Sequence, residues 1–298
     1  MKEGREMRWE NYFAKCRLSD DGILHCTEEA DVTTKFSAEA QNGLFEIEDT
    51  SWWFQYRSQV ICRIAHKFLN EEHIIFDVGG GGGNGYTTNR MALDGYCMAL
   101  LEPSPAACRN AKRRGLRTVI CGTLEEETVI DDSMEQLLLL DVLEHIEDDG
   151  AFLRTMYRKL APGGRILLTV PAFQRLWSSE DDEARHYRRY RLEELKDAAQ
   201  NAGFEVLYSN YFFEFLFLPI LFVRVGLEKL GLLKRTEERT AEEKKRITEK
   251  QFKERQGIVQ FVLSKLESWE LKRLMGGKRV RFGSSAVCVL QKRSPSPM

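Results

Sequence analysis

Residues 74–83 read Ile-Ile-Phe-Asp-Val-Gly-Gly-Gly-Gly-Gly, an apolar run closed by an acid and five glycines. Glycines between a strand and a helix let backbone N–H groups and the helix N-terminus approach a ligand closely. Gly80-x-Gly82-x-x-Gly85 satisfies the dinucleotide fingerprint, and Glu102 lies at the separation of a ribose-binding acid. A nicotinamide-dependent oxidoreductase is therefore one reading. Asp77 favours another, because a carboxylate there suits a ligand bearing an ammonium and a sulfonium and sits poorly beside a pyrophosphate. Two imidazoles offer acid–base chemistry near neutral pH: His145, in Asp141-Val142-Leu143-Glu144-His145, and His186, in the charged run from Asp181 to Tyr190. His145 reads equally as a helix cap. The alternative for the His186 run is a surface cluster of acids and arginines.

Positioning these residues requires alternating strands and helices. Ile74 to Val78, Tyr96 to Leu101, Arg117 to Ile120, Glu135 to Leu140, Arg165 to Val170 and Phe204 to Phe213 read as strands. A helix is predicted from Trp53 to about Leu69, and others after Ser104-Pro105, around Leu153 to Leu160 and around Leu192 to Ala202. Short buried strands alternating with helices imply a parallel sheet covered on both faces, with ligands at the carboxyl ends of the strands. Asp77 with the glycines, Glu102, Asp141 and the segment after Val170 all stand at such ends. Outside this pattern, Cys16 to Cys26 around Asp20-Asp21-Gly22 could form a hairpin. A zinc site of Cys16, His25 and Cys26 lacks a fourth ligand. Glu242/Arg246 and Glu249/Lys253 fit an exposed helix within Lys234 to Arg255. Ile258, Val262, Leu266 and Trp269 suggest a packed helix, Ser285 to Gln291 a strand returning to the sheet, and Ser294-Pro295-Ser296-Pro297 a disordered tail.

The 298 residues carry 44 Lys and Arg against 46 Asp and Glu, a balance that disfavours a general nucleic-acid binder. Seven cysteines without C-x-x-C pairs read as reduced thiols of a cytoplasmic protein. The N-terminus has no apolar signal region. Tyr211 to Leu233 is the most apolar stretch, but Glu214, Pro219, Arg224 and Glu228 interrupt it, so no membrane span is expected. It reads as a core helix, a substrate roof, an oligomer contact or an interfacial helix in peripheral membrane contact.

Asp77-x-Gly79-x-Gly81-x-Gly83 resembles the D-x-G-x-G-x-G motif of class I, seven-β-strand S-adenosylmethionine-dependent methyltransferases. Glu102-Pro103 resembles their acid at the end of strand two. Asp141 to His145 resembles their fourth-strand motif, and Leu160-Ala161-Pro162-Gly163-Gly164 the turn before strand five. The resemblance spans roughly Trp52 to Phe213, with Ser284 to Lys292 as the closing strand. It implies S-adenosylmethionine as cofactor, with Asp77, Gly79, Gly81 and Gly83 at its methionine end and Glu102 and Pro103 at the ribose. Thr123 and Leu124 would lie at the adenine, Leu124 through its N–H; Thr123 stands where many relatives have Asp. Asp141 and Val142 complete the expected cofactor site. His186 and His145 are the candidate catalytic bases. Asp141-x-x-Glu144-His145 also resembles the E-x-x-E-H metal ligands of some methyltransferases; Asp replaces the first Glu, and no metal is expected.

Glu48-x-x-x-x-Trp52-Trp53-Phe54-x-x-Arg57 and His186-Tyr187-Arg188-Arg189-Tyr190 resemble motifs of a bacterial subgroup associated with surface-polysaccharide or lipid-linked sugar pathways. Tyr187, Arg188, Arg189 and Tyr190 are accordingly the candidate substrate residues, since arginines and tyrosines suit an anionic or sugar-bearing acceptor. The expected fold is α/β: a doubly wound, Rossmann-like, seven-stranded, mostly parallel sheet with an N-terminal helical extension and a helical insertion before the last strand. The expected divisions are 1–50 extension, 51–213 core, 214–278 insertion, and 279–298 final strand and tail. The expected activity is methyl transfer to oxygen or nitrogen of a small-molecule acceptor, sugar- or lipid-linked ones included. A nicotinamide oxidoreductase and a non-catalytic cofactor-binding module are the alternatives.

Overall fold

A computed structural model describes residues 8–26, 38–79, 84–124, 129–240, 242–243, 247 and 257–294. Gly80 to Gly83 lie outside the described residues, and with them the expected contributions of Gly81 and Gly83. So do Arg246, Glu249 and Lys253 of the expected charged helix, and residues 295–298 of the expected tail.

The strands are β1 (Arg17–Leu18), β2 (Leu24–His25), β3 (Ile74–Val78), β4 (Cys97–Glu102), β5 (Thr118–Cys121), β6 (Met134–Leu140), β7 (Leu160–Pro171), β8 (Glu205–Phe212) and β9 (Ser285–Gln291). They form one sheet in the order β1-β2-β5-β4-β3-β6-β7-β9-β8. β9 runs antiparallel between β7 and β8, whereas β5, β4, β3, β6 and β7 are parallel. The expected seven strands are β3 to β9, and the sheet has two more. The hairpin β1–β2 adds them by pairing β2 in parallel with β5, so the N-terminal extension is part strand and not wholly helical. Gly22 makes the hairpin turn at φ +75°. The turn brings Cys16 and Cys26 together as a disulfide. This corrects the all-thiol reading for two of the seven cysteines and takes both sulfurs away from the imagined zinc set.

The central strands are buried on both faces, as near-continuous apolar runs require, and Ile75, Phe76, Leu137 to Leu140 and Ile166 to Leu168 are fully enclosed. Helices α1 (Ala38–Glu48), α2 (Trp52–Phe68), α3 (Tyr86–Leu93), α4 (Pro105–Arg114), α5 (Asp149–Lys159), α6 (Ser179–Glu183) and α7 (Leu192–Asn201) accompany the core. Local chemistry sets their ends. Ser51 caps α2 by accepting from Phe54 N, and Ser104 caps α4, with Pro105 in its first turn and Gly115 at φ +102° after it. β7 starts at Leu160 rather than Arg165. Its pairing with β6 slips at Pro162-Gly163-Gly164, where a Cβ on Gly164 would lie 2.8 Å from two backbone oxygens.

After β8 the chain leaves through α8 (Glu214–Pro219), a π-helical stretch (Ile220–Gly226) and α9 (Leu227–Lys229). Pro219 removes a donor inside this run, consistent with the irregular winding. No helix among the described residues is long and apolar enough to cross a membrane. The last helix, α10 (Gly257–Met275), is not the packed helix its apolar periodicity suggests. Ile258 is 83% exposed and Trp269 51%, and only Glu270 and Leu274 are buried. Glu270 fastens α10 to the body, accepting from the amides of Phe213 and Glu214 and from the Tyr56 hydroxyl.

Gly283, just before β9, packs against the β8 backbone, where an added Cβ would sit 2.2 Å from the Phe212 carbonyl oxygen. Gly283→Ala is expected to lower stability by about 3 kcal/mol, because neither backbone can yield without breaking the β8–β9 ladder. Urea unfolding with an unchanged midpoint would contradict this packing.

Candidate active site

The carboxyl ends of β3, β4, β6 and β7 open on one edge of the sheet, and most of the singled-out residues stand there. Asp77, in β3, has no solvent exposure. Thr88, at the start of α3, donates to its Oδ2, while its Oδ1 has no hydrogen-bond partner among the described residues. Burial pushes the carboxyl up to about 6. A buried oxygen left without a donor is unfavourable on its own and marks a place where a donor is due. Gly79 follows at φ +74°, its N–H donating to Leu101 O at 2.8 Å, and a Cβ on it would press on Val142 at 3.2 Å. Glu102 ends β4, 4% exposed and pushed up to about 8 by burial, with Ser104 N donating to Oε1 at 2.9 Å. Pro103 follows it, and Thr123 and Leu124 lie just after β5, Leu124 buried.

Helix α1 closes over this end through residues the sequence reading left without a role. Asn84 donates to Gln41 O and to the Glu48 carboxylate, and Ser104 donates to Gln41 Oε1. Arg114, in α4, binds Glu48 and Asp49 at 2.6 Å each. Burial raises the Glu48 carboxyl to about 7, against the pull of Arg114. The spacing of Glu48 from the tryptophans was the only local signal of this contact.

Beyond β6, Asp141 adopts φ +57°, an uncommon conformation for a residue with a Cβ. Its carboxylate is held by the buried Arg57 of α2 at 2.8 Å and by the Thr169 hydroxyl at 2.9 Å, while the Arg57 guanidinium lies over the Trp53 ring. Trp53 stacks on Phe213, so the paired tryptophans belong to the core. Asp141 thus stands apart from the metal-capable set. That set is Glu144, His145 and His186, whose ligand atoms lie within 4.8 Å of one another. Glu144 is 1% exposed, and neither of its oxygens has a hydrogen-bond partner among the described residues. Burial and the nearby Asp141 charge hold its carboxyl well above the ordinary value.

His145 and His186 meet edge to face at 4.8 Å. His186 Nδ1 lies 2.8 Å from Oδ1 of the buried Asp181, which Arg189 also binds through Nε and Nη2 at 2.8 and 3.0 Å. These contacts outweigh burial and keep the Asp181 carboxyl below its ordinary value. The rest of the motif turns inward. Tyr190 is 3% exposed and donates to Asp149 and Leu143 O, and Arg188 pairs with Asp149. Tyr187 remains half exposed, its N–H donating to Glu144 O. Arg188, Arg189 and Tyr190 therefore brace the loop that carries His186.

β6 and β8 are each followed at once, and β7 two residues on, by a non-glycine residue at positive φ: Asp141, Phe213 and Phe173. Each such residue costs about 1–3 kcal/mol, and strain of this kind gathers where side chains must be aimed.

A family model described as a methyltransferase domain matches residues 53–209. A probable S-adenosylmethionine-dependent methyltransferase of Mycolicibacterium smegmatis is 26% identical over 163 residues, covering 54% of this chain and 62% of its own length. The mitochondrial ubiquinone biosynthesis O-methyltransferase of Schizosaccharomyces pombe is 31% identical over 103 residues, 32% of this chain and 37% of that protein. The chain thus spans less than two thirds of the length of either relative. Among solved structures, a chain of the Haloferax volcanii complex between the Trm112 methyltransferase activator and a methyltransferase shares the fold at TM-score 0.52. It is 17% identical, and the match covers 88% of this chain and 96% of that one.

Proposed function

We infer that this chain, which belongs to the methyltransferase-domain family, is a class I enzyme that moves a methyl group from S-adenosylmethionine to oxygen or nitrogen of a small-molecule acceptor. The observation that carries the reading is Asp77, a buried carboxylate with an unpartnered oxygen at the head of a glycine loop. Its negative charge and missing donor fit an ammonium group, whereas the pyrophosphate of a nicotinamide cofactor would be repelled there. Glu102 would hold the ribose diol, Leu124 would offer its N–H to the adenine, and Gly79, Pro103, Thr123, Asp141 and Val142 would line the remainder. Gly81 and Gly83 keep the loop role that the motif implies.

Bound there, the cofactor supplies an electrophilic methyl group with a good leaving group behind it. The chain's own task is to align the acceptor and remove its proton. His186 is suited to the second part, because Asp181 at Nδ1 leaves Nε2 as the proton acceptor and fixes the ring. His145 packs against it as a second imidazole.

Calorimetry with S-adenosylhomocysteine and with NAD tests the cofactor. Binding of the first and not the second is expected; the reverse would return the chain to the oxidoreductase reading. If turnover vanishes on chelation and returns with a divalent ion, His186 is a ligand and not the base.

A further inference from the structure

We propose that the cavity lined by Phe173, Arg191, Glu193, Tyr211, Arg279 and Arg281 receives a phosphate group carried by the methyl acceptor. The cavity measures about 630 Å³, within the range of small-molecule sites. Its walls come from the ends of β7 and β8, the start of α7 and the segment entering β9, so it opens on the same edge of the sheet as His186.

Charge argues for the ligand class. Three arginines line this space against one carboxylate, all four side chains exposed to solvent, and Glu193 already binds Arg279 at 3.2 Å. Among the described residues, Arg191 and Arg281 form no ion pair. Like charges gathered around one space repel unless an anion joins them, and the guanidinium fork matches phosphate oxygens two at a time.

Rigidity argues for a built site. Phe173 and Tyr211 stack with centroids 4.7 Å apart, and the Tyr211 hydroxyl accepts from Leu192 N at 2.9 Å. Phe173 is held at φ +59° by its N–H to Tyr190 O, and Arg175 lies 5.1 Å from the centre of its ring. Phe173 and Tyr211 are themselves buried, so the floor beneath the arginines is fixed by the core. The assignment rests on the methyltransferase reading in one respect only, that the phosphate belongs to the acceptor.

Calorimetry on the full chain with inorganic phosphate and pyrophosphate, at fixed ionic strength, tests the cavity. The Arg191→Gln/Arg281→Gln double variant is expected to lose at least tenfold in affinity for both, with S-adenosylhomocysteine binding unchanged. Arg158→Gln, a charge change on α5, is expected to leave both ions bound. Absent binding to the unaltered chain, or equal binding by the double variant, overturns the site. Phosphate binding without S-adenosylhomocysteine binding would overturn the methyltransferase reading and leave the anion site standing. The acceptor's identity is read separately, from labelled-methyl incorporation into a cell extract. Phosphatase treatment of the extract beforehand is expected to abolish incorporation, and undiminished labelling would separate the cavity from the acceptor.

Discussion

Asp77→Asn lowers the affinity for S-adenosylhomocysteine by roughly two to three orders of magnitude and leaves the fold intact. Losing one partner of a buried, hydrogen-bonded charge pair costs about 2–5 kcal/mol in binding. Asparagine keeps the shape and an oxygen for the Thr88 hydroxyl, so little of the loss reaches stability. The pH dependence follows with a definite sign. Burial raises this carboxyl from 3.8 to about 6, so below that pH the folded chain holds a proton that a cationic ligand must displace. Affinity is therefore flat above about pH 6 and falls about tenfold per unit below it. The asparagine variant should be weak and flat throughout. Stability moves the other way: between 3.8 and 6 the folded state binds more protons than the unfolded one, so Asp77's contribution declines as pH rises. Equal affinity of the unaltered protein at pH 5 and pH 7.5 would remove Asp77 from the ligand's ammonium.

His186→Gln is expected to slow labelled-methyl transfer by roughly 10²- to 10⁴-fold, the usual worth of a positioned base. Cofactor affinity should stay within about twofold. The fold should survive, because Asp181 keeps its two contacts with Arg189 when the imidazole is gone. Asp181→Asn should act more mildly and through the ring's orientation, by weakening the Nδ1 contact that sets Nε2 free. An unchanged single-turnover rate in His186→Gln would reassign the pair to structure.

The strands around the glycine loop were legible because their signals are local: apolar runs, an acid closing each run, Ser-Pro opening α4 and glycine ending it. Asp77 and Glu102 could be singled out for the same reason. What escaped the sequence depended on distance along the chain. The hairpin at Asp20-Asp21-Gly22 was legible from its turn, but its place was not: β1 and β2 are two residues each, and the parallel pairing of β2 with β5 reaches about 95 residues along the chain. Arg189 pairs with Asp181 of its own run, as the acid–arginine alternative had it, whereas Asp149, the partner of Arg188 and Tyr190, arrives from α5. Phe173 and Phe213 carry no glycine to announce their positive φ. The arginine cavity draws on positions from 173 to 281 with no shared motif. Helix α10 misled for a different reason, since apolar spacing says that a face exists and not that anything covers it.

Phe212 and Ser285 are neighbours in the β8–β9 ladder, so the chain comes back beside the point where it left. Residues 213 to 284 are in effect the loop of one enlarged β-hairpin. The entropy of closing such a loop grows only with the logarithm of its length. The span could therefore be lengthened, shortened or exchanged for another, provided the Glu270 and Gly283 contacts and the buried side chains of Phe213, Phe217, Leu274 and Val280 are kept or rebuilt. On the reading proposed above, Arg279 and Arg281 of the proposed anion site lie in this span, so acceptor preference would change with it while Asp77 and Glu102 stay in place.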